Sequence, residues 1–233
     1  MRGRKPSAII HPHNFVYTRT LSEITIYPFL KNLVAVIFMN SNNRKVIILN
    51  GWTKGDISDI PEFLPDSLKN WMGWSKTELE KLGYVVINPF LKDGYKQEYE
   101  DWKSQIEKID IDENTTLVGW SAGGTFWVRW LGETKKIVHK LILVAPAKLY
   151  KKGNEESNFD RFMNFSIDPS IKERVKNIVI FISNDSDDLV KSAHLYKDTL
   201  EADLIELSNQ GHFTNAERSS PVFKELIAKV TEE

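Results

Sequence analysis

The 233-residue sequence contains no cysteine. Disulfide bridges, thiolate nucleophiles and cysteine-based zinc sites are therefore excluded, and a reducing compartment is compatible with that. An excess of one charge is missing too: 31 Lys+Arg stand against 32 Asp+Glu, for a net charge of −1. A balance of this kind gives no reason to expect a nucleic-acid partner, which would favour a basic patch or stripe. The apolar run Leu33–Met39 is too short to cross a bilayer, so no membrane span is expected. Internal repeats, low-complexity tracts and flexible linkers are lacking. Neither a phosphate-cradling glycine loop nor a metal-ligand cluster is evident, so no cofactor and no metal are expected. What is present in quantity is apolar: 41% hydrophobic residues, with 7 Trp and 12 Phe, enough for a substantial core and an apolar cleft.

Residues 1–43 read differently from the rest. Arg2, Arg4, Lys5 and Arg19 all precede the first acid, Glu23. A basic, acid-poor front end fits either an organellar presequence or an upstream extension of a chain that starts at Met39. The expected division is an extension over 1–43 and one catalytic domain over 44–233, in a cytoplasmic protein; organellar targeting by residues 1–38 stays open.

From Arg44 onward, short apolar runs alternate with helix-period segments. The runs are Lys45–Asn50, Tyr84–Asn88, Thr115–Gly119, Leu141–Val144, Ile178–Ile182 and Leu204–Leu207. Strands that are apolar throughout belong to a sheet buried on both faces, and strand–helix alternation makes that sheet mostly parallel. The expected fold class is α/β, a three-layer α/β/α sandwich of about six strands. One long insert, Ala147–Ser170, is charged at Lys151, Lys152, Glu155 and Glu156 and aromatic at Phe159, Phe162 and Phe165. Its length suggests an active-site cover.

Gly119-Trp120-Ser121-Ala122-Gly123 fits G-x-S-x-G, between a buried strand and a helix. In that setting the tight turn lifts the serine hydroxyl clear of the sheet, and Gly119 and Gly123 leave room for neighbouring elements. Alone, the pattern also reads as a glycine-rich turn with a capping serine. A serine hydroxyl needs a base, normally a histidine oriented by a buried carboxylate. Asp185, Asp187 and Asp188 follow the fifth strand, and His212 follows the sixth, in the serine–acid–histidine chain order of an α/β hydrolase. Among the acids Asp187 is preferred, because Asp187-Asp188-Leu189-Val190 fits a turn feeding the next helix; Asp185 and Asp188 are the alternatives. His11, His13, His139 and His194 are placed too poorly to serve as base. The oxyanion donors are expected at the backbone N–H groups of Ala122 and Trp52.

Four stretches together carry a family resemblance: Val46–Gly51, Trp71-Met72-Gly73-Trp74 with its helix, Gly119–Gly123, and Gly211-His212-Phe213-Thr214-Asn215. The chain resembles the retinoblastoma-binding protein 9-like small serine hydrolases of the α/β-hydrolase superfamily. The resemblance implies a cofactor-free Ser-His-Asp hydrolase without a large cap domain, with Ser121, Asp187 and His212 on the triad positions. The expected activity is cleavage of small carboxylic esters or amides through an acyl-enzyme, with a small-molecule substrate and no protein partner indicated. The alternatives are a thioesterase or acyltransferase, and a non-catalytic binding module on the same fold.

Overall fold

The computed structural model describes residues 44–52, 70–89, 91, 94–150 and 157–233. These residues belong to one compact unit, Asn40–Glu233. The front end 1–43, the segment 53–69 and the charged part of the insert, 151–156, lie outside the described residues.

Among the described residues six strands form one sheet: β1 (Lys45–Leu49), β2 (Val85–Ile87), β3 (Thr115–Trp120), β4 (Val138–Val144), β5 (Val175–Ile182) and β6 (Asp203–Glu206). Their spatial order is β2-β1-β3-β4-β5-β6, and every neighbouring pair is parallel. Helices α1 (Trp71–Lys81), α2 (Tyr99–Ile106), α3 (Ala122–Thr134), α4 (Asn158–Met163) and α5 (Asp187–Leu200) lie between successive strands, and α6 (Lys224–Thr231) follows β6.

Alternate strand residues feed two separate cores. Ile47, Leu49, Leu117, Leu141, Leu143 and Ile180 pack with Trp102 of α2, Phe126 of α3 and Tyr196 of α5. Val46, Ile48, Val118, Ile142, Val144 and Phe181 pack with Trp71 and Leu79 of α1 and Leu226 and Val230 of α6. Both faces of the sheet are therefore covered, which is why its central strands carry no polar alternation. The expected three-layer sandwich is the observed one.

β4 and β5 each begin three residues before the expected start. The early positions hold His139 and Lys140 in β4 and Lys176 and Asn177 in β5, polar residues that mask a strand. Lys140 is fully buried nonetheless, because its ammonium donates to the carbonyls of Lys229 (2.9 Å) and Val230 (3.2 Å) at the end of α6. These are helix-terminal acceptors with no intrahelical donor. The expected helix from Ser67 is described from Trp71, capped by the Asn70 side chain on Gly73 N (2.9 Å). The insert, expected as an active-site cover, contains α4 and runs into a short 3₁₀ turn, Pro169–Glu173.

Parallel pairing brings all strand C-termini to one edge. The strand order also reverses there: β1 is flanked by β2 on one side and β3 on the other, so the loops leaving β1 and β3 diverge. Such a switch point opens a crevice at the C-terminal edge. Among the described residues, no helix is long and apolar enough to cross a membrane.

The insert rejoins the sheet at Asp168. Its carboxylate accepts from Lys135 Nζ (2.7 Å) and Arg174 Nη2 (3.0 Å), and caps the 3₁₀ turn at Ser170 N (3.0 Å). The Lys135 ammonium foremost, then Ser170 and Arg174, hold the carboxyl well below the usual carboxylate range, although desolvation opposes them. A carboxyl depressed on folding stabilises fully above its unfolded pKa, and that stability is lost as pH falls towards the folded value. Asp168→Asn should cost about 1–3 kcal/mol at pH 7. The gap to the parent should narrow as pH falls below about 4, the unfolded carboxyl value; urea melts at pH 7 and pH 3 measure it, and a gap independent of pH contradicts this account.

Candidate active site

Ser121 joins β3 to α3 with φ 52° and ψ −121°, a conformation that L residues rarely adopt. Strain of this kind costs on the order of 1–3 kcal/mol and persists only where its surroundings enforce it. Ser121 N donates to Val144 O (2.9 Å), while Ser121 O accepts from Gly124 N (3.0 Å) and Thr125 N (3.3 Å). A Cβ at Gly119 would lie 2.5 Å from Gly124 N, and one at Gly123 would lie 2.5 Å from Asn50 O. Both are backbone atoms that cannot yield.

A third glycine, Gly51, matters as much. A Cβ there would come within 2.9 Å of Ser121 Cβ, so the segment leaving β1 runs directly against the serine. That closeness sets Gly51 against the serine, while Ala122 opens α3, where first-turn N–H groups have no intrahelical acceptor.

The Ser121 hydroxyl lies 3.0 Å from His212 Nε2, and His212 Nδ1 lies 2.5 Å from Asp185 Oδ2. The carboxylate that meets the imidazole is therefore that of Asp185, not the expected Asp187. Ser186 is the N-cap of α5, so Asp187 and Asp188 occupy its first turn, where they complement the helix dipole. Asp187 is exposed, whereas the Asp185 side chain is only 10% exposed. The residues read as a turn feeding the helix, Asp187–Val190, are already its first turn, and the carboxylate that reaches the imidazole is the one two residues before it. Asp185 Oδ1 also accepts from Ser186 N (2.7 Å), which fixes the carboxylate plane.

The loop that carries His212 is tied down from three directions. Ser183 Oγ accepts from Gln210 N (2.9 Å), and Asn184 Oδ1 accepts from Gly211 N (3.3 Å), linking the acid loop to the histidine loop. Trp120 Nε1 donates to His212 O (2.8 Å) and Trp71 Nε1 to Phe213 O (3.1 Å). Glu217 Oε2 accepts from His212 N (2.9 Å) and Thr214 Oγ1 (2.7 Å). Gly211, at φ 51°, lies so close to Glu217 that a Cβ would sit 2.5 Å from its carboxyl carbon. Phe213, at φ 60°, is held in that conformation by burial and by stacking on Phe223 at 5.5 Å.

Sequence reasoning missed Ser183, Asn184 and Glu217, whose polar atoms act on backbone groups rather than on substrate. The only available signal was their closeness in the chain to Asp185 and His212. Of the aromatics that suggested an apolar cleft, several are committed elsewhere. Trp120 is nearly buried and serves the histidine loop, and Trp74 packs against the core on the α1 side. Trp52 does meet the insert: its ring lies 5.0 Å from Phe159 and 5.3 Å from Phe162, both edge-on, and stacks on Trp102 at 6.3 Å. His139 lies within β4 and His194 on α5. Among the described residues, no group of three or more acidic or histidine side chains could hold a metal.

A parallel six-stranded sheet with a strained serine between β3 and a helix, faced by a histidine from the loop after the last strand, defines an α/β hydrolase. The chain belongs to the serine hydrolase family, whose model matches residues 63–222. It is similar to serine hydrolase RBBP9 of Rattus norvegicus, at 28% identity over 191 residues, covering 80% of this chain and 93% of that protein. Among solved structures it is similar to the ydeN gene product of B. subtilis, with TM-score 0.65 and 20% identity over 82% of this chain and 100% of that one. A carboxylesterase structure from Nitrososphaera gargenis shares the fold at TM-score 0.55 and 12% identity, covering 82% of this chain and 92% of that one.

If Trp120 aligns the base through its indole N–H, Trp120→Phe keeps the ring and loses one hydrogen bond. Such a bond contributes about 0.5–1.5 kcal/mol, so kcat should fall by up to about tenfold while KM stays constant. Steady-state kinetics on a p-nitrophenyl ester would show it. Parental kcat would mean that the bond does not align the base.

Proposed function

We propose that this serine hydrolase cleaves small carboxylic esters or amides by acyl transfer through Ser121, His212 and Asp185. The observation that carries the reading is the continuous hydrogen-bonded chain from Asp185 Oδ2 to His212 Nδ1 (2.5 Å) and from His212 Nε2 to Ser121 Oγ (3.0 Å). An imidazole that donates from Nδ1 to a carboxylate keeps Nε2 free to accept the serine proton.

In the first step Ser121 Oγ bonds to the substrate carbonyl carbon as His212 takes the hydroxyl proton. The carbonyl oxygen becomes an oxyanion, held by the N–H groups of Ala122 and Trp52. His212 then returns its proton to the leaving alcohol or amine as the scissile bond breaks. Water next attacks the acyl-enzyme with His212 again as base, releasing the acid and restoring Ser121. Asp185 stays ionised throughout and stabilises the imidazolium. The strained Ser121 turn keeps Oγ clear of the sheet edge, so no reorganisation is needed for attack. The partly buried Trp52 and Phe159 offer an apolar side to the crevice, backed by the buried Phe162, and favour small or aromatic acyl groups.

Replacing Ser121 with Ala should lower hydrolysis of p-nitrophenyl acetate or butyrate roughly 10⁴-fold or more. It should also abolish labelling by a fluorophosphonate probe. Parental turnover or labelling in Ser121→Ala would refute the scheme, and an unlabelled parent protein would favour the binding-module alternative.

A further inference from the structure

Asn50 is the last buried residue of the β1 run, 1% exposed, and its side chain has no place in the triad. Its Nδ2 donates to the carbonyl oxygen of Gly51 at 3.0 Å. Its Oδ1, equally buried, has no hydrogen-bond partner among the described residues. Turning the amide over would set two oxygens 3.0 Å apart, so the donor end belongs on Gly51. A buried amide with one satisfied end and one orphaned end is costly to keep. Its value must lie in the bond it does make.

That bond falls on a particular peptide. The Gly51 carbonyl and the Trp52 N–H belong to the same peptide unit, and no described peptide bond is cis. In a trans peptide the C=O and N–H point in opposite directions. Drawing the carbonyl towards the Asn50 amide therefore turns the Trp52 N–H away from Asn50. Gly51 itself abuts Ser121 Cβ and the Trp120 carbonyl, so this peptide borders the nucleophile. A glycine on the N-terminal side lets a peptide plane rotate at little steric cost, so something other than sterics must fix it.

We propose that Asn50 is a positioning residue that latches the Gly51–Trp52 peptide, with its N–H set as an oxyanion donor. The inference rests on the reading of Ser121 as nucleophile and Trp52 N–H as donor. The latch acts only when charge develops on the carbonyl oxygen, so its loss should appear in the transition state and not in substrate binding.

The test is Asn50→Asp, which keeps the shape and faces the Gly51 carbonyl with an acceptor, beside Asn50→Ala, which removes the latch without adding charge. Each is assayed with p-nitrophenyl butyrate, with sites counted by exhaustive fluorophosphonate labelling. Loss of one oxyanion donor costs about 10²–10³ in kcat, and a misaimed donor should lose somewhat less. Per labelled site, kcat should therefore fall about 10- to 100-fold in both variants with KM within about twofold. Affinity for an alkyl boronic acid, which forms a tetrahedral adduct on serine, should fall by the same factor. Parental kcat per labelled site in Asn50→Ala, or a loss explained wholly by fewer labelled sites, overturns the proposal. If Asn50→Asp does not fold, Asn50→Ala decides alone. An unlabelled, inactive parent protein would instead overturn the reading on which the latch rests.

Discussion

Close backbone approach at the C-terminal ends of β1 and β3 is the constraint on which the rest depends. At three positions (Gly51, Gly119 and Gly123) a Cβ would lie within 3.0 Å of a neighbouring atom. Because these three carry none, the β1 exit, the Ser121 turn and the first turn of α3 can share one small volume. Close packing there makes the unfavourable φ of Ser121 the only conformation left to it, and the strain of that turn is offset by the packing of α3 on both flanking strands.

Around that point the sheet supplies direction and the loops supply chemistry. All six strands run parallel, so the exits of β1, β3, β5 and the loop after β6 meet at one edge. Each exit contributes one part: a peptide beside the serine, the serine itself, a carboxylate, an imidazole. The histidine arrives on the longest lever and receives the most bracing. Two indole N–H groups and one glutamate hold the main chain of His212 and Phe213, which leaves the ring free to exchange a proton.

Much of this was legible in the sequence because it rests on short-range patterns. Unbroken apolar runs marked the central strands, and G-x-S-x-G between strand and helix marked Ser121. Gly211-His212-Phe213 after the last run marked the base. The legible part stopped where side chains act on backbone. Glu217 and Asn184 look like ordinary loop polars, and buried Lys140 looks like a strand breaker. The choice among Asp185, Asp187 and Asp188 failed for a related reason. It turned on whether α5 begins before or after a given carboxylate, a matter of one or two residues, and the first turn of a helix accepts acids for its own electrostatic reasons. The tryptophans were assigned to a cleft by composition; in the structure Trp71 and Trp120 spend their indole N–H groups on the histidine loop, and Trp52 and Trp102 pack on Phe162 of the insert.

The central claim is that one carboxylate, the one preceding α5, orients the base. Its most direct measurement is kcat for Asp185→Asn beside Asp187→Asn, on the same ester and with labelled sites counted. Losing the orienting carboxylate of a serine triad lowers kcat by roughly 10⁴, so Asp185→Asn should fall by that order while Asp187→Asn stays within about twofold of the parent. The reverse ranking, or an equal loss in both, would contradict the account.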